Sequence, residues 1–88
     1  MAERNKKLDL VIYVREECHL CEEMTLALRK RQAQGIFNLQ IIDIDKDPIL
    51  QERFNDKIPV LMSLTDQIEI CHYHLDSHAL DAYLTKIR

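Results

Sequence analysis

From Leu8 to Val14 the chain reads Leu-Asp-Leu-Val-Ile-Tyr-Val, an almost unbroken apolar run of the kind that forms a strand covered on both faces. Such a strand belongs inside a sheet. Apolar residues then recur at helical spacing, with Leu20, Met24, Ala27 and Leu28 on one face and Gly35 as a stop, which predicts a helix from about Cys18 to about Gln34. A second, isoleucine-rich run from Phe37 to Ile44 predicts another strand. Asp47-Pro48 follows it and supplies a capping side chain and a proline suited to the first helical position, so a short helix is expected from Pro48 to about Phe54. Two further apolar segments, Ile58 to Leu64 and Ile68 to His74, flank Thr65-Asp66-Gln67 and read as a hairpin. The last element is a helix from about Ser77, capped by Asp76, with Leu80, Tyr83, Leu84 and Ile87 on one face.

The order is therefore β-α-β-α-β-β-α. A right-handed crossover makes the first two strands parallel, and the hairpin adds two antiparallel strands. This predicts an α/β, thioredoxin-like fold with a four-stranded mixed sheet and helices on both faces.

With 88 residues there is room for one core, so residues 1–88 are expected to form a single domain. The balance of 47% apolar and 31% charged residues is that of an ordinary globular chain. Met1 to Lys7 lacks the apolar centre of a signal peptide and no run is long enough to span a bilayer; a cytoplasmic monomer without a membrane partner is the expectation. A net charge of −3 without a basic stripe argues against a nucleic-acid partner. An odd count of three cysteines does not make a structural disulfide framework in such a compartment, and points to chemistry, metal binding or burial.

Two of the three form Cys18-His19-Leu20-Cys21, directly after the first strand and at the start of the first helix. There they stand on one helical turn, close enough to bond. The helix terminus favours the Cys18 thiolate, the attacking species, while Cys21 lies deeper on the apolar side, so Cys18 is the candidate nucleophile and Cys21 the candidate resolving thiol. The terminus contributes about 0.3 to 1 kcal/mol against roughly 1.4 kcal/mol per pKa unit, and only a modest depression of the Cys18 value is expected from it. A metal site or a pair of inert cysteines in a non-catalytic binding module is the alternative. Ile58-Pro59 opens the third strand, where a proline is tolerated; a cis bond is expected there, with the Ile58 backbone free to pair with an extended substrate.

Arg15-Glu16-Glu17-Cys18-His19-Leu20-Cys21-Glu22-Glu23-Met24, then Ile42-Asp43-Ile44-Asp45 and Lys57-Ile58-Pro59-Val60-Leu61, resemble a glutaredoxin-like branch of the thioredoxin superfamily. Its members are small proteins that carry a Cys-His-Leu-Cys-Glu motif and little else beyond the fold. The resemblance runs from Leu8 to Leu84 and implies roles for Cys18 and Cys21 in redox chemistry and for Pro59, with Ile58, in holding the substrate. Ordinary glutaredoxins carry Pro-Tyr or Pro-Phe between the cysteines and a Gly-Gly pair that holds glutathione. Here His19-Leu20 and Tyr73-His74-Leu75-Asp76-Ser77 stand in those places. Glutathione is accordingly a doubtful partner, a protein or peptide disulfide is the expected one, and no cofactor is implied.

Arg15 and Lys57 are candidates to support the thiolate or a substrate carboxylate, and His19 to assist a leaving thiol. Glu16, Glu17, Glu22 and Glu23 surround the motif with negative charge, which favours a substrate with basic flanks. His72, His74 and His78 read as a solvated patch. Cys71, with Cys18, Cys21 and His74, would complete a Cys₃His metal set; hairpin register instead places it opposite Leu61 on the outer strand, as a structural cysteine.

Overall fold

The computed structural model describes residues 8–86. Its elements are β1 (Leu8–Val14), α1 (His19–Gln32), β2 (Phe37–Asp43), a 3₁₀ turn (Ile44–Lys46), α2 (Pro48–Phe54), β3 (Val60–Ser63), β4 (Ile68–His72) and α3 (Ser77–Lys86). The sheet order is β2-β1-β3-β4. β1 pairs parallel with β2 and antiparallel with β3, and β3 pairs antiparallel with β4. This is the thioredoxin-like arrangement expected from the sequence.

β1 is central because its sequence allows burial on both faces: Leu10, Val11, Ile12 and Tyr13 are all buried. Alternation then divides the protein into two cores. Leu10 and Ile12 pack with Met24 and Leu28 of α1, Phe37 of β2, Leu61 of β3, and Leu80, Tyr83 and Leu84 of α3. On the opposite face Val11 and Tyr13 meet Ile44, Phe54 and Val60, with the Tyr13 and Phe54 rings stacked at 4.5 Å.

The helix ends carry the expected signals. Asp47 accepts the Ile49 N–H at 2.9 Å with Pro48 in the first turn of α2, and Asp76 accepts the Ala79 N–H at 2.9 Å, satisfying otherwise unpaired donors. Gly35, at φ 78°, terminates α1 in a conformation that costs glycine little.

Several boundaries differ from those read in the sequence. α1 ends at Gln32 rather than near Gln34, because Gln34 and Gly35 donate to Arg31 and Gln32 in a closing turn. Ile44 leaves β2 for the 3₁₀ turn, where the Asp43 carboxylate accepts the Asp45 N–H at 2.9 Å. The hairpin strands are shorter than the apolar runs, with a register irregularity between Leu61 and Met62. Ile87, assigned by periodicity to the apolar face of the last helix, and residues 1–7 lie outside the described residues.

Candidate functional site

The chain leaves β1 at Val14, crosses Arg15-Glu16-Glu17 and enters α1 through its N-cap, Cys18. Glu17, immediately before it, adopts φ 56°, a left-handed conformation unfavourable for a residue with a side chain. Cys18 is the N-cap, extended at φ −123° and ψ 105°, and its Sγ accepts the Cys21 N–H at 3.1 Å. A sulfur thus occupies the place where Ser or Asp usually caps a helix.

One turn on, Cys21 is only 3% exposed, while Cys18 is half-buried. Their Cα atoms are 5.2 Å apart and their sulfurs are joined in a disulfide. The pair is therefore asymmetric, with one sulfur reachable from solvent and one beneath it.

The antiparallel register Tyr13↔Val60 brings Pro59 level with Val14, at the end of β1 from which the Cys18 turn departs. The Ile58–Pro59 bond is cis, as its place before a strand predicts. Pro59 is fully buried and its carbonyl accepts the Tyr73 N–H at 2.8 Å. Among the described residues the Ile58 N–H and carbonyl have no backbone partner.

The cations named in the sequence are occupied elsewhere. Arg15 Nε donates to both Asp45 carboxylate oxygens, at 3.2 and 3.1 Å, and its Nη2 to Asn55 Oδ1 at 2.6 Å. This guanidinium fastens the Cys18 turn to the 3₁₀ turn and to the end of α2. Lys57 Nζ lies 2.7 Å from Glu69 Oε1, and Glu69 Oε2 shares a 2.6 Å hydrogen bond with His72 Nδ1. The Lys57 hydrogen bond, aided by His72 and opposed by partial burial, holds the Glu69 carboxyl below its ordinary value. His19 is 96% exposed, with Nδ1 4.0 Å from the Glu22 carboxylate. Glu16 and Glu17 pair with no cation among the described residues.

Cys71 pairs with Leu61 on the outermost strand, as expected from the hairpin. Burial pushes its thiol above the ordinary value, against a lowering hydrogen bond from the Asp76 backbone. Among the described residues no group of three or more Cys, His, Asp or Glu side chains is arranged to hold a metal ion.

The sequence matches the family Glutaredoxin-like domain (DUF836) over residues 9–85. The chain belongs to this family. A solution NMR structure of protein Ne2328 from Nitrosomonas europaea is similar at 45% identity and a TM-score of 0.80, covering 89% of this chain and 92% of that one. An X-ray structure of a protein from X. campestris is 28% identical with a TM-score of 0.70, over 88% and 96% of the two chains. The thioredoxin of Fasciola hepatica shares the fold at 14% identity, with a TM-score of 0.68 over 98% of this chain and 86% of that one. No functionally curated protein matches the chain. In this glutaredoxin-like domain the Cys18–Cys21 pair, at bonding distance on a thioredoxin-like fold, fits a redox role.

One feature near the pair was not read as a site from the sequence. A groove of about 670 Å³ runs between the first turns of α1 and the end of β2, with Cys21, Leu26 and Ile41 among its walls. The available signal was Leu26, an apolar residue lying off the buried stripe of α1.

Proposed function

We propose that the protein is a cytoplasmic thiol–disulfide oxidoreductase that acts on protein disulfides. The observation that carries this reading is the asymmetry of the pair: a half-exposed Cys18 at the helix cap above a buried Cys21. In the reduced protein the Cys18 thiolate attacks one sulfur of a substrate disulfide. A Cys18–substrate disulfide forms, and the other substrate sulfur leaves as a thiolate that takes a proton from solvent. Cys21, losing its proton, then attacks Cys18 Sγ and releases the second substrate sulfur. Two electrons pass to the substrate and Cys18–Cys21 becomes a disulfide, which a dithiol donor must reduce before the next cycle.

Three features support this sequence of steps. The N–H that caps onto Cys18 Sγ, together with the helix terminus, favours negative charge on that sulfur. Arg15 is matched by Asp45 and Lys57 by Glu69, so stabilisation of the thiolate is assigned to the backbone rather than to these cations. The unpaired Ile58 backbone beside Pro59 suits an extended peptide.

Protein disulfides are favoured over glutathione by Tyr73. It opens the glycine-free stretch Tyr73-His74-Leu75-Asp76-Ser77 that matches the Gly-Gly region of ordinary glutaredoxins, and its hydroxyl donates to the Asp56 carbonyl at 2.5 Å and its N–H to the Pro59 carbonyl. These bonds hold the side chain in place, and the stretch offers no glycine-lined cradle for the glutathione γ-glutamyl group.

Reduction of insulin disulfides by a dithiol, followed by turbidity and paired with elemental analysis of the purified protein, tests the reading. Catalysis lost in Cys18→Ser is expected. Absence of catalysis together with stoichiometric zinc would replace it with the metal-binding alternative.

A further inference from the structure

Along β2 the residues that share a sheet face with Leu10 and Ile12 become steadily less covered. Phe37 is fully buried, Leu39 is half-buried and Ile41, paired with Ile12, is 41% exposed. The last of these lies toward the end of the strand from which, on the adjacent β1, the chain departs for Cys18. Across from it, Leu26 of α1 is 64% exposed, and the two line the groove that also contains Cys21. Two large aliphatic side chains are thereby left facing one open channel beside the disulfide. Exposed apolar surface with a polar rim is the usual form of an interaction site.

The rim specifies the partner. Glu16, Glu17, Glu22 and Asp43 border the channel, and the single cation lining it among the described residues, Arg15, is already neutralised by Asp45. A concave surface lined by one sign of charge concentrates the opposite sign.

We propose that this groove is a docking site for an extended segment of a partner protein in which an aliphatic side chain is flanked by lysines or arginines. The proposal rests on the disulfide-exchange reading, since it holds such a segment against the pair while the partner's own disulfide meets Cys18. The aliphatic side chain covers Leu26 and Ile41, and the flanking cations meet the carboxylates. The Ile58–Pro59 strand start is the other flank of the site, so a substrate would be gripped on both sides of the reacting sulfur.

The test uses the oxidised full chain and a cysteine-free probe, so binding is read without any thiol chemistry. A dye-labelled, end-blocked peptide of alternating lysine and leucine is titrated by fluorescence anisotropy, beside a lysine–serine peptide and a glutamate–leucine peptide. The lysine–leucine peptide should bind, its affinity falling as ionic strength rises to about 0.5 M, and the two controls should bind at least about tenfold more weakly. Leu26→Ser and Ile41→Thr, both at exposed positions and checked for an unchanged circular dichroism spectrum, should each weaken it about five- to tenfold.

Equal binding of the lysine–serine peptide, or no effect of both substitutions, would overturn the proposal. So would sedimentation showing a dimer that Leu26→Ser dissociates, because the groove would then belong to a second copy of the chain. Peptide binding by a protein that fails to reduce insulin would uphold the groove and overturn the redox reading; insulin reduction without peptide binding would do the reverse.

Discussion

Cys18 and Cys21 differ in surroundings more than in chemistry. Cys18 is the half-exposed cap and Cys21 is 3% exposed beneath it. Reagent access therefore decides the order of alkylation: after reduction Cys18 should be labelled first by iodoacetamide, as read by peptide mass spectrometry. Cys71 should be labelled slowly, because burial holds its thiol protonated and the thiolate is the reacting form. Glu69 gives a second residue-level expectation. Its carboxyl is held below the ordinary value of 4.5, chiefly by Lys57, so it stabilises the fold above that value, and the contribution is lost as pH falls through the lower folded value. Glu69→Gln should lower the urea midpoint at neutral pH, with the gap from the parent protein closing in acid. A gap that widens in acid would reverse the assigned sign.

Among the elements, α3 is attached to the hairpin by a polar contact inside an otherwise apolar core. The Tyr83 hydroxyl bonds the buried Ser63 hydroxyl and donates to Asp66 Oδ2 at 2.7 Å, and Asp66 in turn donates its N–H to Ser63 at 3.0 Å. Burial raises the Tyr83 phenol, partly offset by Ser63, so the neutral hydroxyl persists through the physiological range. Tyr83→Phe should cost about 1 to 2 kcal/mol in urea unfolding, the usual cost of leaving a buried hydroxyl with one partner fewer. Element order was legible in the sequence because each element carries its own period and end signal: the two-faced run of β1, the Asp47-Pro48 start of α2, the Asp76 cap of α3. The ends of β3 and β4 were not, since the apolar runs Ile58 to Leu64 and Ile68 to His74 continue past the last ladder bonds and a bulge has no compositional mark. Cys18 and Cys21 stood out because spacing and a preceding strand define them. The engagement of Arg15 by Asp45, 30 residues away in sequence, and of Lys57 by Glu69 depends on tertiary approach and left no local trace. Leu26 and Ile41 were hidden for a related reason, as each resembles an ordinary core residue until its neighbours prove not to cover it.

In the whole molecule the disulfide closes one turn at the start of α1 and ties no two elements together. The two cores on either side of β1 contain neither Cys18 nor Cys21, and the helix cap, the Arg15–Asp45 pair and the Arg31–Asp81 pair between α1 and α3 do not require an oxidised pair. Reduction should consequently leave the far-ultraviolet circular dichroism unchanged and unfolding cooperative, as the proposed cycle demands of both states. The proposed function turns on one assignment, that Cys18 attacks and Cys21 resolves. Intact-mass analysis of the reduced parent, Cys18→Ser and Cys21→Ser proteins after mixing with a disulfide-bonded peptide tests that assignment most directly. The parent should lose two hydrogens and carry no adduct, Cys21→Ser should accumulate one peptide bound at Cys18, and Cys18→Ser should remain unmodified; an adduct accumulating on Cys21 or Cys71 in Cys18→Ser, with none in Cys21→Ser, would contradict the account.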